Sequence, residues 1–120
     1  MRTLREDREA LLEELRRYTD EFVIVEGRHD TEALVRLGFT RVIEINKGKG
    51  LYEFSVDVDD ARVLVLTDFD PEGERIAKKL DEYLNGVGCR TDRAARERLR
   101  ALFRRNKLTT VQGLRNVDVK

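Results

Sequence analysis

Three short strand-like segments set the frame for this chain: the continuous apolar runs Phe22-Val23-Ile24-Val25 and Val63-Leu64-Val65-Leu66, and Val42-Ile43-Glu44-Ile45 between them. Continuous apolar runs of this length read as strands covered on both faces. Between them lie segments with apolar residues at helical spacing. Thr3 and Glu6 form a capping box ahead of Leu4, Leu11, Leu12, Leu15 and Tyr18. Asp30 reads as the cap of a second helix carrying Ala33, Leu34 and Leu37, with Gly38 as its stop. Asp70 caps a third, with Pro71 at the favoured first position and Ile76, Ala77, Leu80, Tyr83 and Leu84 along its buried stripe as far as Gly86. A short helix around Leu51 to Phe54, an edge strand around Cys89 to Thr91 and a final helix from about Asp92 to Arg105 complete the pattern. Thr109 to Leu114 is expected to return to the body as a strand or extended segment. Strand alternating with helix predicts an α/β fold: one domain over 1–120, with a parallel sheet of about four strands flanked by helices on both faces. Its core spans about 20–115, behind an amphipathic helix over 1–19, and 88–120 form a basic C-terminal segment.

No run approaches the roughly 18 apolar residues that a membrane-spanning helix needs. The first seven residues, Met1 to Asp7, are too charged for a signal peptide, so cytoplasm is the expected location. A lone cysteine, Cys89, offers neither a disulfide nor a zinc-ligand set and reads as a small core residue. High charge with few Gln, Asn, Cys and Met fits a heat-adapted protein, although the dominance of Arg is equally explained by base composition. The formal net charge of +0 hides an asymmetry. Residues 1–86 carry 14 Lys/Arg against 21 Asp/Glu, and residues 87–120 carry 10 against 3. An acidic site region beside a basic partner-binding tail is one reading of this; a charge-rich surface is the other.

In a parallel sheet, ligands bind beyond the carboxyl ends of strands where the strand order reverses. That rule brings Glu26, after the first run, and Asp68, after the third, into one region. Thr67-Asp68-Phe69-Asp70-Pro71-Glu72-Gly73-Glu74 is the most informative stretch. Carboxylates two residues apart at a strand end point the same way. Gathering them raises their proton affinity unless a cation joins them. A hard cation such as Mg²⁺, which takes one or two carboxylates plus water and phosphate, suits such a set. The same residues also suit plain structural work, Asp70 as an N-cap and Glu72 and Glu74 in a first helical turn.

Val25-Glu26-Gly27-Arg28-His29-Asp30, followed by Ala33-Leu34, resembles the first motif of the Toprim family. Thr67-Asp68-Phe69-Asp70-Pro71-Glu72-Gly73-Glu74 resembles the second, and is close to its type IA topoisomerase form. The resemblance covers roughly 20–115. It implies Mg²⁺ (or Mn²⁺) dependent phosphodiester chemistry on RNA or DNA, with Glu26 as general acid or base. Asp68 and Asp70 would be the metal ligands, with Glu72 and Glu26 as further candidates, and Gly27 and Gly73 would let backbone approach the site. Phe69 replaces a frequent proline and Arg28 stands where lysine is common; neither departure touches an acidic position. No primase-specific or zinc module and no strand-passage tyrosine domain is recognisable, which leaves a small stand-alone Toprim protein nearest to RNase M5-type nucleases. A catalytic fragment of a primase- or topoisomerase-like system is an alternative. Another is a module that binds nucleic acid or a partner protein without turnover. A haloacid dehalogenase-type phosphatase also uses Asp-x-Asp, but normally after its first strand.

The cations divide in the same way. Lys47 and Lys49 either steer phosphates or are solvated loop lysines, and Arg28 flanks the first motif. His29 either assists proton transfer or is merely exposed. Arg93, Arg96, Arg100 and Arg104 recur every three or four residues and are expected to form a phosphate-binding stripe on the last helix, with Arg90, Arg98, Arg105 and Lys107 adding to it. A homo-oligomer or a protein partner is also compatible with the sequence.

Overall fold

The computed structural model describes residues 2–117. Helix α1 (Leu4–Arg16) starts at the expected capping box: the Thr3 hydroxyl accepts from the Glu6 N–H at 3.1 Å, and the Glu6 carboxylate accepts from the Thr3 N–H at 3.0 Å. Such a box is worth about 1 kcal/mol to a helix start. Strand β1 (Val23–Val25) leads into α2 (Arg28–Arg36), and β2 (Val42–Glu44) into α3 (Leu51–Asp57). Strand β3 (Arg62–Val65) leads into α4 (Pro71–Gly86), and β4 (Arg90–Thr91) into α5 (Arg93–Arg105), followed by a 3₁₀ turn over Gln112–Asn116.

The sheet is parallel throughout, in the order β2-β1-β3-β4. The chain steps from β1 outward to β2, then crosses back to lay β3 on the other side of β1. The order therefore reverses between β1 and β3, where Val23 pairs with Leu64 and Ile24 with Val65. The segments after these two strands, which carry Glu26 and Asp68, diverge at that switch point.

Each face of the sheet has its own apolar layer. Val23, Val25, Leu64 and Leu66 pack against Leu11, Leu15 and Tyr18 of the α1 region, Ala33 and Leu34 of α2, and Ala95, Leu99 and Phe103 of α5. Ile24, Val63 and Val65 pack against Phe54 of α3, Ala77, Leu80 and Leu84 of α4, and Cys89. Full burial of each large side chain contributes about 1.5–3 kcal/mol, so both layers, and not helix propensity, hold the elements in place. On the first face, Arg98 of α5 donates to Glu14 at 3.0 Å and to the Tyr18 hydroxyl at 2.9 Å, tying α5 to α1. Among the described residues no helix is long and apolar enough to cross a membrane.

Three sequence expectations shift. Leu4 opens α1 but is 69 % exposed, because only the second half of that helix lies over the sheet. Helix α2 begins earlier than expected: Gly27 is its N-cap, and Asp30 sits one turn in, accepting the Gly27 N–H at 3.1 Å. Thr109 to Leu114 adds no strand. Its chain runs past the strand ends into the 3₁₀ turn, where Leu114 is fully buried and Arg36 of α2 donates to the Leu114 and Val117 carbonyls. Tyr52 meets the Tyr83 ring edge-on at 5.5 Å, joining α3 to α4. Gly38 ends α2 with φ of +101°, a backbone conformation that glycine adopts without a steric penalty.

Candidate active site at the strand-order reversal

Glu26 leaves the end of β1 and reaches across to the next strand end, where one carboxylate oxygen accepts the backbone N–H of Asp68 at 2.8 Å. Asp68 directs one oxygen to the N–H of Val111 at 2.8 Å. Asp70 caps α4 by accepting the Gly73 N–H at 2.7 Å. Each of the three carboxylates thus commits one oxygen to a backbone donor, and among the described residues the other oxygen has no protein partner. Among the described residues none of them is paired with a cation. Burial pushes the Asp68 carboxyl up to about 6; the Val111 N–H offsets part of this, and the negative charges of Asp30, Glu26 and Asp70 add to the rise.

Gly73 is what lets α4 start so close to the strand end. A Cβ there would lie 2.0 Å from the Asp68 carbonyl oxygen, a backbone atom that cannot yield. The contact is closed by the Thr67 hydroxyl, which is buried and donates to the Gly73 carbonyl at 2.7 Å. Gly27 differs: a Cβ there would meet no atom within 4 Å, so close approach within the protein does not explain this glycine.

Glu72 does not join the other carboxylates. It stands exposed on α4 and forms a two-pronged pair with Arg75, at 2.7 and 3.1 Å. Among the described residues no three Asp, Glu, His or Cys side chains converge as a metal-holding group. The donor set at the strand ends is still of the right chemistry for a hard cation, being hard oxygens with unpartnered lone pairs and no competing cation. Magnesium needs only one or two such carboxylates.

From sequence, Asp30 reads as a helix cap and as the last residue of the first motif, with no role at the site. It is 93 % buried and accepts the Gly27 N–H at 3.1 Å; burial raises its pKa, and the neighbouring backbone N–H groups of Gly27, Gln112 and Glu26 offset part of the rise. It therefore links the start of α2 to the C-terminal segment beside the site. Its place four residues after Glu26 was the available signal, since one helical turn brings such a residue back to the strand end.

The arginine stripe of α5 is the main correction. Arg96 is 95 % buried and faces the protein. Its guanidinium donates to the carbonyls of Val65, Thr67 and Asp68 at 3.1, 3.0 and 3.2 Å and to Glu74 at 2.9 Å, and stacks over the Phe69 ring at 4.6 Å. Arg100 joins it on Glu74, with Nη2 to Oε1 at 2.9 Å, and also pairs with Glu97. Two arginines on one carboxylate hold Glu74 down at about 2, the Arg100 hydrogen bond being the largest cause. Arg96 and Arg100 are therefore supports of the Asp68 loop. The clue lay in spacing: Arg96, Leu99 and Phe103 stand at i, i+3 and i+7 and so share the buried face. Arg93 and Arg104 are exposed, as are Arg28 and Lys47, while Lys49 is engaged by Asp57. His29 lies outside the crevice beside Glu32, at 3.3 Å.

The fold and these strand ends define an α/β protein with a parallel sheet and an acidic crevice at its switch point. No family model matches the chain. It is 35 % identical over 100 residues to the UPF0292 protein of Thermococcus sibiricus, covering 82 % of this chain and 78 % of that one. With the UPF0292 protein of Pyrococcus abyssi it shares 35 % identity over 114 residues, 93 % and 84 % of the two chains. With that of Methanosarcina acetivorans it shares 33 % over 110 residues, 88 % and 76 %. The chain belongs to the UPF0292 family. Among solved structures, a putative protein from Aquifex aeolicus matches with a TM-score of 0.69 at 24 % identity, over 88 % of this chain and 95 % of the other; this likeness concerns the fold.

Proposed function

We propose that this protein is a Toprim-like enzyme that carries out Mg²⁺-dependent phosphodiester chemistry on nucleic acid, cleavage being the reaction that fits best. The observation that carries the reading is the cation-free carboxylate set at the switch point, with Asp68 raised to about 6 by burial and by its acidic neighbours. A protein that keeps such repulsion without an arginine to relieve it has a site prepared for a cation from outside. Asp68 and Asp70 would hold the metal through their unpartnered oxygens, and when bound it would supply charge neutralisation for a phosphodiester oxyanion. Glu26, anchored by the Asp68 N–H through one oxygen, has the other available to take or give a proton at the attacking or leaving oxygen. The backbone N–H groups of Asp68, Val111 and Gly73 keep all three carboxylates oriented before substrate arrives.

A binding module without turnover is the second reading. It is favoured by one observation: Glu72, one of the four candidate ligands, is taken up by Arg75, and the other three each spend one oxygen on a backbone N–H, so every candidate already has structural work.

Labelled single- and double-stranded RNA and DNA, incubated with Mg²⁺ or Mn²⁺ and with EDTA, separate the two. The enzyme reading expects products that vanish with EDTA and fall about 10² to 10⁴-fold in Glu26→Gln. Retention of substrate with no product in any metal selects the binding module, and an active Glu26→Gln removes the role given to that residue.

A further inference from the structure

A second chemical feature lies next to the acidic crevice and shares Phe69 with it. A cavity of about 250 Å³ opens between the end of α5 and the chain that follows, lined by Phe69, Glu74, Arg100, Arg104, Lys107 and Thr109, with Leu108 completing it. Three cationic side chains face one carboxylate there, and that carboxylate, Glu74, is already neutralised by Arg96 and Arg100. Arg104 and Lys107 are exposed, and among the described residues neither forms an ion pair. Five ion pairs engage Arg93, Arg96, Arg98 and Arg100 of α5; of the open cations at the end of that helix, Arg104 and Lys107 are the two that converge on this cavity.

Lys107 also has an unusual backbone. It is the only described residue other than glycine with positive φ, at +57°. Through it the chain reverses at the end of α5, the Leu108 N–H returning to the Phe103 carbonyl at 2.9 Å. Glycine or asparagine is the cheap occupant of such a position, and a lysine there is strained. Strain of this kind collects at sites where a side chain has work to do. The same reversal delivers the Thr109 carbonyl to the Phe69 N–H at 2.6 Å, so the cavity wall and the Asp68 loop are one connected piece.

We propose that this cavity is a phosphate subsite for the substrate strand: Arg104 and Lys107 hold a backbone phosphate beside the one that reacts at Asp68 and Asp70. Arginine's planar fork and lysine's mobile point charge suit a phosphodiester with two free oxygens. The subsite offsets the repulsion that the acidic crevice exerts on a polyanion, and it replaces the α5 stripe as the basic element of binding. The inference rests on the nucleic-acid reading of the crevice and extends it to a defined contact.

The test is fluorescence-anisotropy binding of labelled RNA and DNA oligonucleotides in a Glu26→Gln background, over a salt series, with thermal unfolding as the control for fold. Replacing both cations (Arg104→Gln, Lys107→Gln) is expected to weaken binding across unrelated sequences and to flatten the salt slope by about 1.4 to 1.8, at about 0.7 to 0.9 per lost phosphate contact. Lys107→Gly supplies a readout that a purely structural lysine would not give: the melting temperature rises while binding weakens. Affinity and slope unchanged in the double variant overturn the subsite and leave the crevice chemistry standing if the wild type turns over. Binding lost in the double variant of a protein that never cleaves keeps the subsite and removes the nuclease. No binding of any oligonucleotide overturns both.

Discussion

Asp68 and Glu74 lie six residues apart on the loop and first turn between β3 and α4, yet the fold treats their charges in opposite ways. Glu74 receives two guanidiniums and falls to about 2; Asp68 receives one backbone N–H, keeps acidic neighbours and rises to about 6. The first arrangement closes its own electrostatics and serves as a strut. The second leaves them open, at a cost to the folded state that only a cation or a proton from solution relieves. Charge count alone does not separate the two; the presence or absence of a buried partner does.

The strut gives the largest expected effect. Arg96→Ala removes a guanidinium shared by three carbonyls and leaves Glu74 half-paired, so urea unfolding should show a loss of about 3–5 kcal/mol. A loss under about 1 kcal/mol in that variant would make Arg96 an ordinary surface cation and dissolve the contrast.

The junction between the two regions comes next. Gly73→Ala drives a methyl into the Asp68 backbone and should cost about 3 kcal/mol, at the upper end for overpacking. Gly27→Ala, which meets no atom and gives up only glycine's advantage over alanine at an N-cap, should cost no more than about 1 kcal/mol and serves as the internal reference.

The smallest effect has opposite signs at the two carboxylates. Folded Asp68 titrates at about 6 and an unfolded aspartate near about 3.9, so between these values the folded state binds more protons. Its contribution therefore makes the protein more stable as pH falls from about 6 to about 4. Glu74 works in the other direction: its stabilisation is present above the unfolded value of about 4.3 and is lost as pH falls toward 2. Asp68→Asn keeps an acceptor for the Val111 N–H while deleting the charge, and should gain about 1–2 kcal/mol at pH 7 after allowance for solvent screening. Melting curves of the wild type and Asp68→Asn between pH 7 and pH 4 should converge at the acid end; parallel curves would show that Asp68 is not strained.

Much of this was legible without coordinates. Val23-Ile24-Val25 and Val63-Leu64-Val65 declare covered strands by composition, and Thr3, Asp70 and Pro71 declare helix starts through local hydrogen bonding and ring geometry. Glu26 and Asp68 were placed together by topology, since the crossover rule for parallel strands admits few alternatives. Arg96 was misplaced because a cation on an amphipathic helix is assigned to solvent by default, and its partners lie 22 to 31 residues away in sequence. Thr109 to Leu114 was misread as extended for a related reason: the segment takes its shape from bonds to Phe69, Asp68 and Arg36, none of them local.

What the amino-acid sequence determined by itself was therefore the set of elements, their order and the carboxylates at two strand ends, because periodicity, caps and strand composition act over a few residues and need no distant partner. Which charges are satisfied was decided only by the tertiary structure. Whether Glu74 becomes a strut and Asp68 an open site depends on where α5 lays its guanidiniums and where the chain after Lys107 delivers its backbone N–H groups. Those distances are set by the packing of two apolar layers on the sheet, and hydrogen bonds and charge pairs act only over a few ångströms once that packing has brought the groups together.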